Sequence, residues 1–274
     1  MSTRRPVTIP VEPWYKDHGF DGTIVFAAVE TMLLLAANAA REQPRLDVRN
    51  MEDAKFAKFL EIPPQSQSVE ALVECEQRND GRLRTALLSQ VRIGTMRRIK
   101  EHGELFFPAE TTYPPIPDCP QIPDIAQMAG KSAVTEITAE HIYRHLVPFG
   151  PWYHSLQGTL YLGKQGGWGK VKTPALPFNN PIQQVLGSPF ALDGAMHAAC
   201  VLGRQFVDHA LFPTGFRQRI IARPTQPGAE YFVTILPVSL TDDEQIFDLG
   251  IVDKNGEVFE AVFSLRMQGY KYRG

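Results

Sequence analysis

The chain has 274 residues, with 28 lysines and arginines against 30 aspartates and glutamates, so its formal net charge at neutral pH is −2. A hydrophobic fraction of 43% and a charged fraction of 21% exclude a disordered chain. The small net charge gives no general attraction to nucleic acid, and no apolar run is long enough to span a membrane. The 3 cysteines form no CxxC pair, which argues against a disulfide framework or a zinc module and favours a cytoplasmic location.

The first half of the chain contains one strong helix candidate and one strong hairpin candidate. Good helix formers and apolar residues occur nearly all the way round a helix over residues 27–41, which predicts burial on most sides. Residues 69–77 and 82–93 alternate in polarity on either side of Asn79-Asp80-Gly81, a typical hairpin turn.

A proline-rich stretch separates the two halves. Six prolines lie within residues 107–123. Because proline lacks a backbone N–H and fixes φ, this stretch can be neither a helix interior nor a central strand. We expect a linker over 111–130 between a domain at 1–110 and a domain at 131–274.

The second half repeats the plan of the first. An amphipathic helix is predicted near 138–146, and a second helix rich in small residues at 190–210. The predicted strands form a hairpin over 158–173, a strand over 231–240, and a pair over 246–253 and 257–267. One central apolar helix against antiparallel strands, twice over, predicts an α+β fold.

Two groups of side chains are candidates for chemistry. His18 lies in a glycine-containing loop before the first helix, where helix N–H groups are available to an oxyanion. Asp193 and His197 lie four residues apart on one face of the second helix, among small and apolar residues. Each group also has a purely structural explanation. His18 can be a loop histidine that caps a neighbouring group, and Asp193 and His197 can be an ordinary i,i+4 pair near the start of a helix.

These two groups occur in order in a chain that resembles the dehydratase domains of modular polyketide synthases. The family's HxxxGxxxxP motif is matched by His18, Gly22 and Ala27, and its DxxxQ/H motif by Asp193 and His197. Its YxxLxxxGxxYGPxF segment is matched from Tyr143 to Tyr153, and its closing hairpin by residues 252–258. The four segments occur in the family's order and are spread over nearly the whole chain.

The resemblance implies a double hot-dog fold, with two antiparallel sheets each wrapped around a central helix. It implies a lyase that removes water from a 3-hydroxyacyl thioester in polyketide or specialised fatty-acid synthesis, with His18 as base, Asp193 as acid and His197 as a positioning group. It implies no metal and no bound cofactor, a substrate carried on the phosphopantetheine of an acyl carrier protein, and a homodimer. The implied substrate-binding residues are Gly22, Ala27, Ala28, Phe149, Gly150, Pro151 and Tyr153.

The sequence departs from the family pattern at three positions. Ala27 replaces the proline of the first motif, Phe149 replaces the tyrosine of YGP, and Tyr153 stands where phenylalanine is usual. Loss of a phenol near the site leaves two alternatives open on the same fold, an enoyl isomerase and a product-template-like cyclase. A non-catalytic acyl-binding protein is the third alternative.

Three further motifs have simpler explanations. His141 and His145 have zinc-helix spacing but no third ligand, so a solvated helix face is expected. The glycine-rich residues 163–170 lie between strand patterns and open no helix, which predicts a hairpin turn rather than a phosphate loop. Arg97, Arg98 and Lys100 form a basic cluster that an acidic carrier protein could contact, but an ordinary solvated patch is the favoured explanation.

Overall fold

The computed structural model describes residues 2–94, 96–109 and 134–269. The strands of the first half are β1 (Ser2–Pro10), β2 (Gly19–Phe20), β3 (Thr23–Ile24), β4 (Asn50–Lys55), β5 (Ser68–Gln77), β6 (Leu83–Ile93) and β7 (Met96–Phe107). Those of the second half are β8 (Thr135–Thr138), β9 (Leu156–Gly163), β10 (Gly166–Lys172), β11 (Leu211–Ile221), β12 (Glu230–Leu240), β13 (Glu244–Val252) and β14 (Val258–Gly269). The helices are α1 (Ala28–Glu42), α2 (Ala139–His141), α3 (Pro181–Leu186) and α4 (Pro189–Gly203).

The larger sheet joins the two halves of the chain. It has 12 strands in the order β1-β5-β6-β7-β4-β11-β14-β13-β12-β10-β9-β8. All of its recorded pairings are antiparallel, and β4 of the first half pairs with β11 of the second from Gly215↔Lys55 to Ile220↔Asn50. The prediction of two separate sheets is therefore corrected to one continuous sheet, because β4 and β11 hydrogen-bond to each other instead of ending as two edges.

The two long helices occupy the core, one in each half. Helix α1 packs on β5, β6 and β7, and α4 packs on β9 to β13, while α1 and α4 also contact each other. All 15 residues of α4 are buried. The high content of alanine, glycine and small apolar side chains explains how the sheet approaches this helix from every side.

Several element boundaries differ from those predicted. The second helix ends at Gly203 rather than at residue 210, and residues 204–210 form turns before β11. The helix near 138–146 has only three α-helical residues and continues as a π-helical turn over Ile142–Leu146. Strand β1, which pairs with β5 along its whole length, was not predicted. The predicted linker at 111–130 lies outside the described residues.

Two further findings concern the cysteines and the length of the helices. Cys75 and Cys200 are free, buried thiols, and Cys119 lies outside the described residues. Within the described ranges, no helix has the length and apolar character needed to cross a membrane.

Candidate active site

One apolar cavity receives side chains from both halves of the chain. Its volume is about 100 Å³, and its lining includes His18 from the first half and Asp193 and His197 from α4. The apolar lining residues include Phe20, Val25, Leu60, Val147, Phe149, Met196, Leu211, Phe212 and Met267. Because His18 and the Asp193–His197 pair share this cavity, one small substrate can contact both.

The local fold of His18 fixes which ring nitrogen is free. His18 follows a 3-10 turn at Pro13–Asp17, and the β2–β3 turn after it brings the carbonyl of Val25 within 3.0 Å of its Nδ1 atom. A carbonyl oxygen only accepts hydrogen bonds, so Nδ1 carries the proton and Nε2 keeps its lone pair. Burial lowers the pKa of His18, and the nearby Asp193 charge opposes that shift. A neutral imidazole is the form that a general base requires.

Two aromatic rings hold the imidazole of His18. The ring of Phe149 stacks on it with centroids 4.3 Å apart, and that of Tyr153 lies 4.9 Å away. Both rings come from the second half of the chain, so the imidazole of His18, from the first half, is oriented by second-half side chains.

Asp17 attaches this aromatic segment to the loop that carries His18. The Gly150 N–H donates to the Asp17 carbonyl at 2.7 Å, and the Trp152 N–H donates to Asp17 Oδ2 at 2.9 Å. A Cβ atom at Gly150 would overlap Cβ and Cγ of Asp17. The absence of a side chain at position 150 therefore permits this close approach.

Asp193 and His197 form a buried pair on one face of α4. Each is only 5% exposed, and His197 Nε2 lies 3.0 Å from Asp193 Oδ2. The approach satisfies the distance for an ion pair but not the angles of a hydrogen bond, so neither atom has a hydrogen-bond partner within the described chain. Buried polar atoms without partners are rare, and here they belong to two side chains that line a cavity.

Tyr143 orients His197, a role that was not predicted. Its hydroxyl accepts the Leu156 N–H at 2.8 Å and lies 3.4 Å from His197 Nδ1. The hydroxyl proton is thereby available to Nδ1, which leaves the His197 proton on Nε2, toward Asp193. Tyr143 opens the YxxL segment, and this position was the only sequence signal for it.

The predicted substrate-binding residues fall into two groups. Ala28 and Phe149 line the cavity. The remaining five are not among its lining residues: Ala27 is the N-cap of α1, Gly22 lies in the exposed β2–β3 turn at φ 77°, Gly150 and Pro151 lie in the segment held by Asp17, and Tyr153 packs on His18.

A buried carboxyl group close to the site was also missed. Glu30, in the first turn of α1, accepts hydrogen bonds from Trp14 Nε1 at 3.1 Å and from the Tyr15 hydroxyl at 3.5 Å. Burial raises the pKa of Glu30 to about 7, and the charge of Asp193 adds to the rise. The sequence signal for it is a glutamate at the start of the apolar run of α1, among positions that are otherwise mostly apolar and buried.

The structure also places the residues of the three further motifs. His141 and His145 are exposed with ring centroids 4.9 Å apart, and no group of three or more metal-ligating side chains occurs in the described part of the chain. Residues 163–170 form the turn and second strand of the β9–β10 hairpin. Arg97, Arg98 and Lys100 lie on β7.

Comparison with known proteins gives structural matches alone. No protein-family model and no curated protein sequence matches the chain. A trans-AT polyketide synthase dehydratase domain from Brevibacillus brevis superposes with a TM-score of 0.73 at 14% identity, over 98% of this chain and 94% of that one. The dehydratase domain of a mycocerosic acid synthase-like polyketide synthase gives 0.74 at 15% identity, over 99% and 92% of the two chains. The chain has the fold of polyketide synthase dehydratase domains.

This match extends to a third solved structure and confirms the resemblance drawn from the motifs. The dehydratase domain from the CurF module of curacin polyketide synthase gives a TM-score of 0.73 at 16% identity, over 98% of this chain and 94% of that one. The similarity at such low identity concerns the fold, and the chemistry has to be argued from the site.

Proposed function

We propose that the protein is a lyase that removes water from a 3-hydroxyacyl thioester and releases a 2-enoyl thioester. The observation that carries the proposal is the shared apolar cavity, in which the free nitrogen of His18 and the buried carboxyl of Asp193 come from different halves of the chain. An apolar cavity suits an acyl chain, and two proton-transfer groups are what this elimination requires.

The proposed reaction begins at His18. Its Nε2 lone pair takes a proton from C2 of the substrate, next to the thioester carbonyl, and the electrons of that bond form the C2–C3 double bond. The C3–O bond breaks, and the departing hydroxyl takes a proton from Asp193 and leaves as water. The next turnover requires the proton to return from His18 to Asp193. Because the pKa of His18 is lowered, its imidazole stays neutral at pH values where an ordinary histidine is already partly protonated.

The acid side of the reaction uses the pair on α4. Asp193 has to be protonated to act, and it lies away from bulk water with an oxygen that has no hydrogen-bond partner among the described residues. His197, oriented by Tyr143, places its Nε2 atom 3.0 Å from Asp193 Oδ2, within reach of the carboxyl, although the two atoms form no hydrogen bond. Each positioned proton-transfer group contributes about 10²–10⁴ in rate.

We assign the stabilisation of negative charge on the thioester oxygen to the N-terminus of α1. Ala27 at the N-cap provides no side-chain hydrogen bond, so no capping side chain occupies the first-turn N–H groups. Ala28 in that turn lines the cavity. Free N–H groups at a helix start stabilise a developing oxyanion.

The proposal assigns both proton transfers to side chains, so it includes no cofactor. The substrate is proposed to arrive on the phosphopantetheine of an acyl carrier protein, as in the synthases whose fold the chain shares. The homodimer and the cytoplasmic location stay predictions.

An enoyl isomerase on the same fold is the second candidate, and Phe149 favours it. The phenyl ring beside His18 cannot donate a hydrogen bond to a leaving hydroxyl, and Tyr153 does not line the cavity to replace the missing phenol. An isomerase moves one proton between carbons and has no hydroxyl to expel.

The test follows both reactions with small thioester mimics. The wild type, His18→Ala and Asp193→Asn are each given 3-hydroxyacyl and 2-enoyl N-acetylcysteamine thioesters, and water loss and double-bond migration are measured. The proposal expects the wild type to lose water, and each variant to lose at least about 100-fold in kcat/KM while retaining the wild-type Tm. Migration without water loss supports the isomerase. Tight binding without turnover supports a non-catalytic acyl-binding protein.

A further inference from the structure

A two-stranded ribbon extends from the sheet next to the cavity. The pairing of β5 with β6 stops at Leu72↔Leu88, whereas β6 and β7 continue to pair from Ser89↔Lys100 to Arg92↔Arg97 and beyond. Strand β4 pairs with the C-terminal part of β7, away from the β6–β7 turn, at Glu52↔Phe106 and Lys55↔Glu104. The outer part of the β6–β7 hairpin therefore has exposed sides on both strands.

This ribbon is basic and also apolar. Residues 88–93 and 96–100 contain Arg92, Arg97, Arg98 and Lys100 but no aspartate or glutamate, in a chain whose net charge is −2. Large apolar side chains are exposed on it: Val91 by 39%, Met96 by 57% and Ile99 by 44%. Exposed apolar side chains grouped with charges of one sign are typical of a binding surface rather than of ordinary solvated strands.

The register divides these side chains between two faces. Residues opposite each other in an antiparallel pair point to the same side, and neighbours along a strand alternate. The pairs Ser89↔Lys100 and Val91↔Arg98 therefore share one face with Met96, which we name the inner face. The pairs Gln90↔Ile99 and Arg92↔Arg97 lie on the other face.

The inner face leads to the cavity. A second cavity of about 260 Å³ is lined by Lys100 and Lys58, with Glu61 as its acidic lining residue. It shares Phe20, Val25, Lys58 and Phe59 with the cavity that contains His18, so the two spaces adjoin. From Lys100 outward, Arg98 and Met96 follow at about 7 and 13 Å along the strand.

A buried histidine fixes this entrance. The Nδ1 atom of His102 contacts the carbonyls of Lys58 at 3.2 Å and Phe59 at 3.0 Å, and its Nε2 lies 2.8 Å from Ser89 Oγ. The segment with Lys58 is thereby attached to the base of the ribbon. The backbone at Lys58 is therefore fixed close to the strand that carries Lys100, and both lysines line the second cavity.

We infer that the inner face of the β6–β7 hairpin, formed by Lys100, Arg98, Val91 and Met96, binds the acidic surface of a carrier protein, whose phosphate-bearing arm enters between Lys58 and Lys100. This inference rests on the proposed function and locates the surface that binds its carrier protein. Charge complementarity favours this occupant, since both charged side chains of the face, Arg98 and Lys100, are basic, and the arm's phosphate passes Lys58 and Lys100 before its acyl end reaches His18.

The register provides a matched pair of variants. Arg98→Glu and Arg97→Glu reverse the same charge at neighbouring exposed positions of one strand, the first on the inner face and the second on the other face. Neither residue lines either cavity. The probes are a 3-hydroxyacyl thioester on an acidic type II acyl carrier protein and the same acyl group on N-acetylcysteamine.

The inference expects Arg98→Glu to lower kcat/KM for the carrier-linked substrate about tenfold at low salt, with the difference shrinking as salt rises. Arg97→Glu has a much smaller effect, and neither variant changes turnover of the N-acetylcysteamine thioester. Equal effects of the two variants, or an equal loss on both substrates, overturn the inference. If the wild type turns over neither substrate, the proposed function fails instead.

A binding measurement decides the inference independently of turnover. Fluorescence anisotropy of labelled holo-carrier is expected to give a Kd about tenfold weaker for Arg98→Glu than for Arg97→Glu. The apo-carrier, which lacks the arm, is expected to keep the difference between the variants while binding more weakly. No binding by the wild type, or a change in oligomeric state with Arg98→Glu at unchanged carrier affinity, overturns the inference, and the latter assigns the face to a second copy of this chain.

Discussion

The phenyl ring of Phe149 stacks on the imidazole of His18, with centroids 4.3 Å apart and planes inclined by 29°. Phe149 thus removes one face of the base from water, and burial is the main cause of the low pKa of His18. Phe149→Ala admits water to that face, so we expect the pKa of His18 to rise toward its usual value. The acid limb of the pH–rate profile should move to higher pH, with the largest loss of kcat/KM in mildly acid buffer. Phe149→Leu keeps that face of the imidazole covered by an apolar side chain and serves as the control. If the acid limb lies at the same pH in both variants, this explanation is contradicted.

Gly150 tests the attachment of the second-half segment to Asp17. In Gly150→Ala, the new methyl group pushes the segment at Gly150 away from the segment at Asp17, which the Asp17 hydrogen bonds hold together. We expect a loss of about 1–3 kcal/mol in the free energy of unfolding. Urea unfolding measures the loss, and kcat should fall as well because Phe149 precedes the altered residue. Gly163→Ala is the matched control, since its new methyl group would meet no neighbour closer than 3.7 Å. Equal stability of the two variants would remove the steric argument.

Glu30 makes stability depend on pH. The folded protein raises the pKa of this carboxyl from an ordinary 4.5 to about 7, so the protonated form favours the fold and that advantage is lost as pH rises through this range. Relative to Glu30→Gln, the wild type should lose on the order of 3 kcal/mol of unfolding free energy between acid and weakly alkaline buffer. The lowered pKa of His18 has the opposite effect, a loss of stability as pH falls, but it is common to both proteins and cancels in their difference.

Urea titrations of both proteins across that interval measure the difference. A constant gap between wild type and Glu30→Gln would mean that the pKa of Glu30 is the same in the folded and the unfolded protein. Glutamine retains an oxygen that can accept the Trp14 hydrogen bond, so loss of that bond does not explain a pH-dependent gap.

Tyr143 is expected to act on catalysis through His197. Tyr143→Phe leaves the Leu156 N–H and His197 Nδ1 without the hydroxyl, and unsatisfied buried groups cost about 1–3 kcal/mol each. We expect kcat to fall about tenfold with little change in KM, since the substrate still fills the same cavity. Tyr231→Phe is the control, because the Tyr231 hydroxyl likewise accepts a backbone N–H, that of Gln226 at 2.8 Å, without lining the cavity. A similar loss of kcat in both variants would point to stability rather than to orientation.

The sequence predicted the elements that local patterns determine. Helix α1 and the hairpins around Gly81 and Gly256 follow from apolar periodicity and turn residues that act over short distances. His18, Asp193 and His197 were identified because charged or titratable groups stand out beside apolar helices. All three line one cavity, and their catalytic roles, which came from the family resemblance, stay predictions.

The features that were missed depend on long-range contacts. The pairing of β4 with β11 joins residues far apart in the chain, and no local pattern encodes that register. The role of Tyr143 requires the positions of His197 and Leu156, and the role of Gly150 requires that of Asp17. The second helix was predicted too long because residues 204–210 are compatible with helix, while turns and the start of β11 prevail there.

The β4–β11 pairing has a consequence for how the protein can change without losing its chemistry. These strands align the half that contains His18 with the half that contains Asp193, so an insertion in either strand would shift the register and move the two side chains relative to each other. Insertions in hairpin turns far from the junction leave that alignment intact. We therefore expect length variation among relatives to collect in such turns, while the number of residues in these two strands stays fixed.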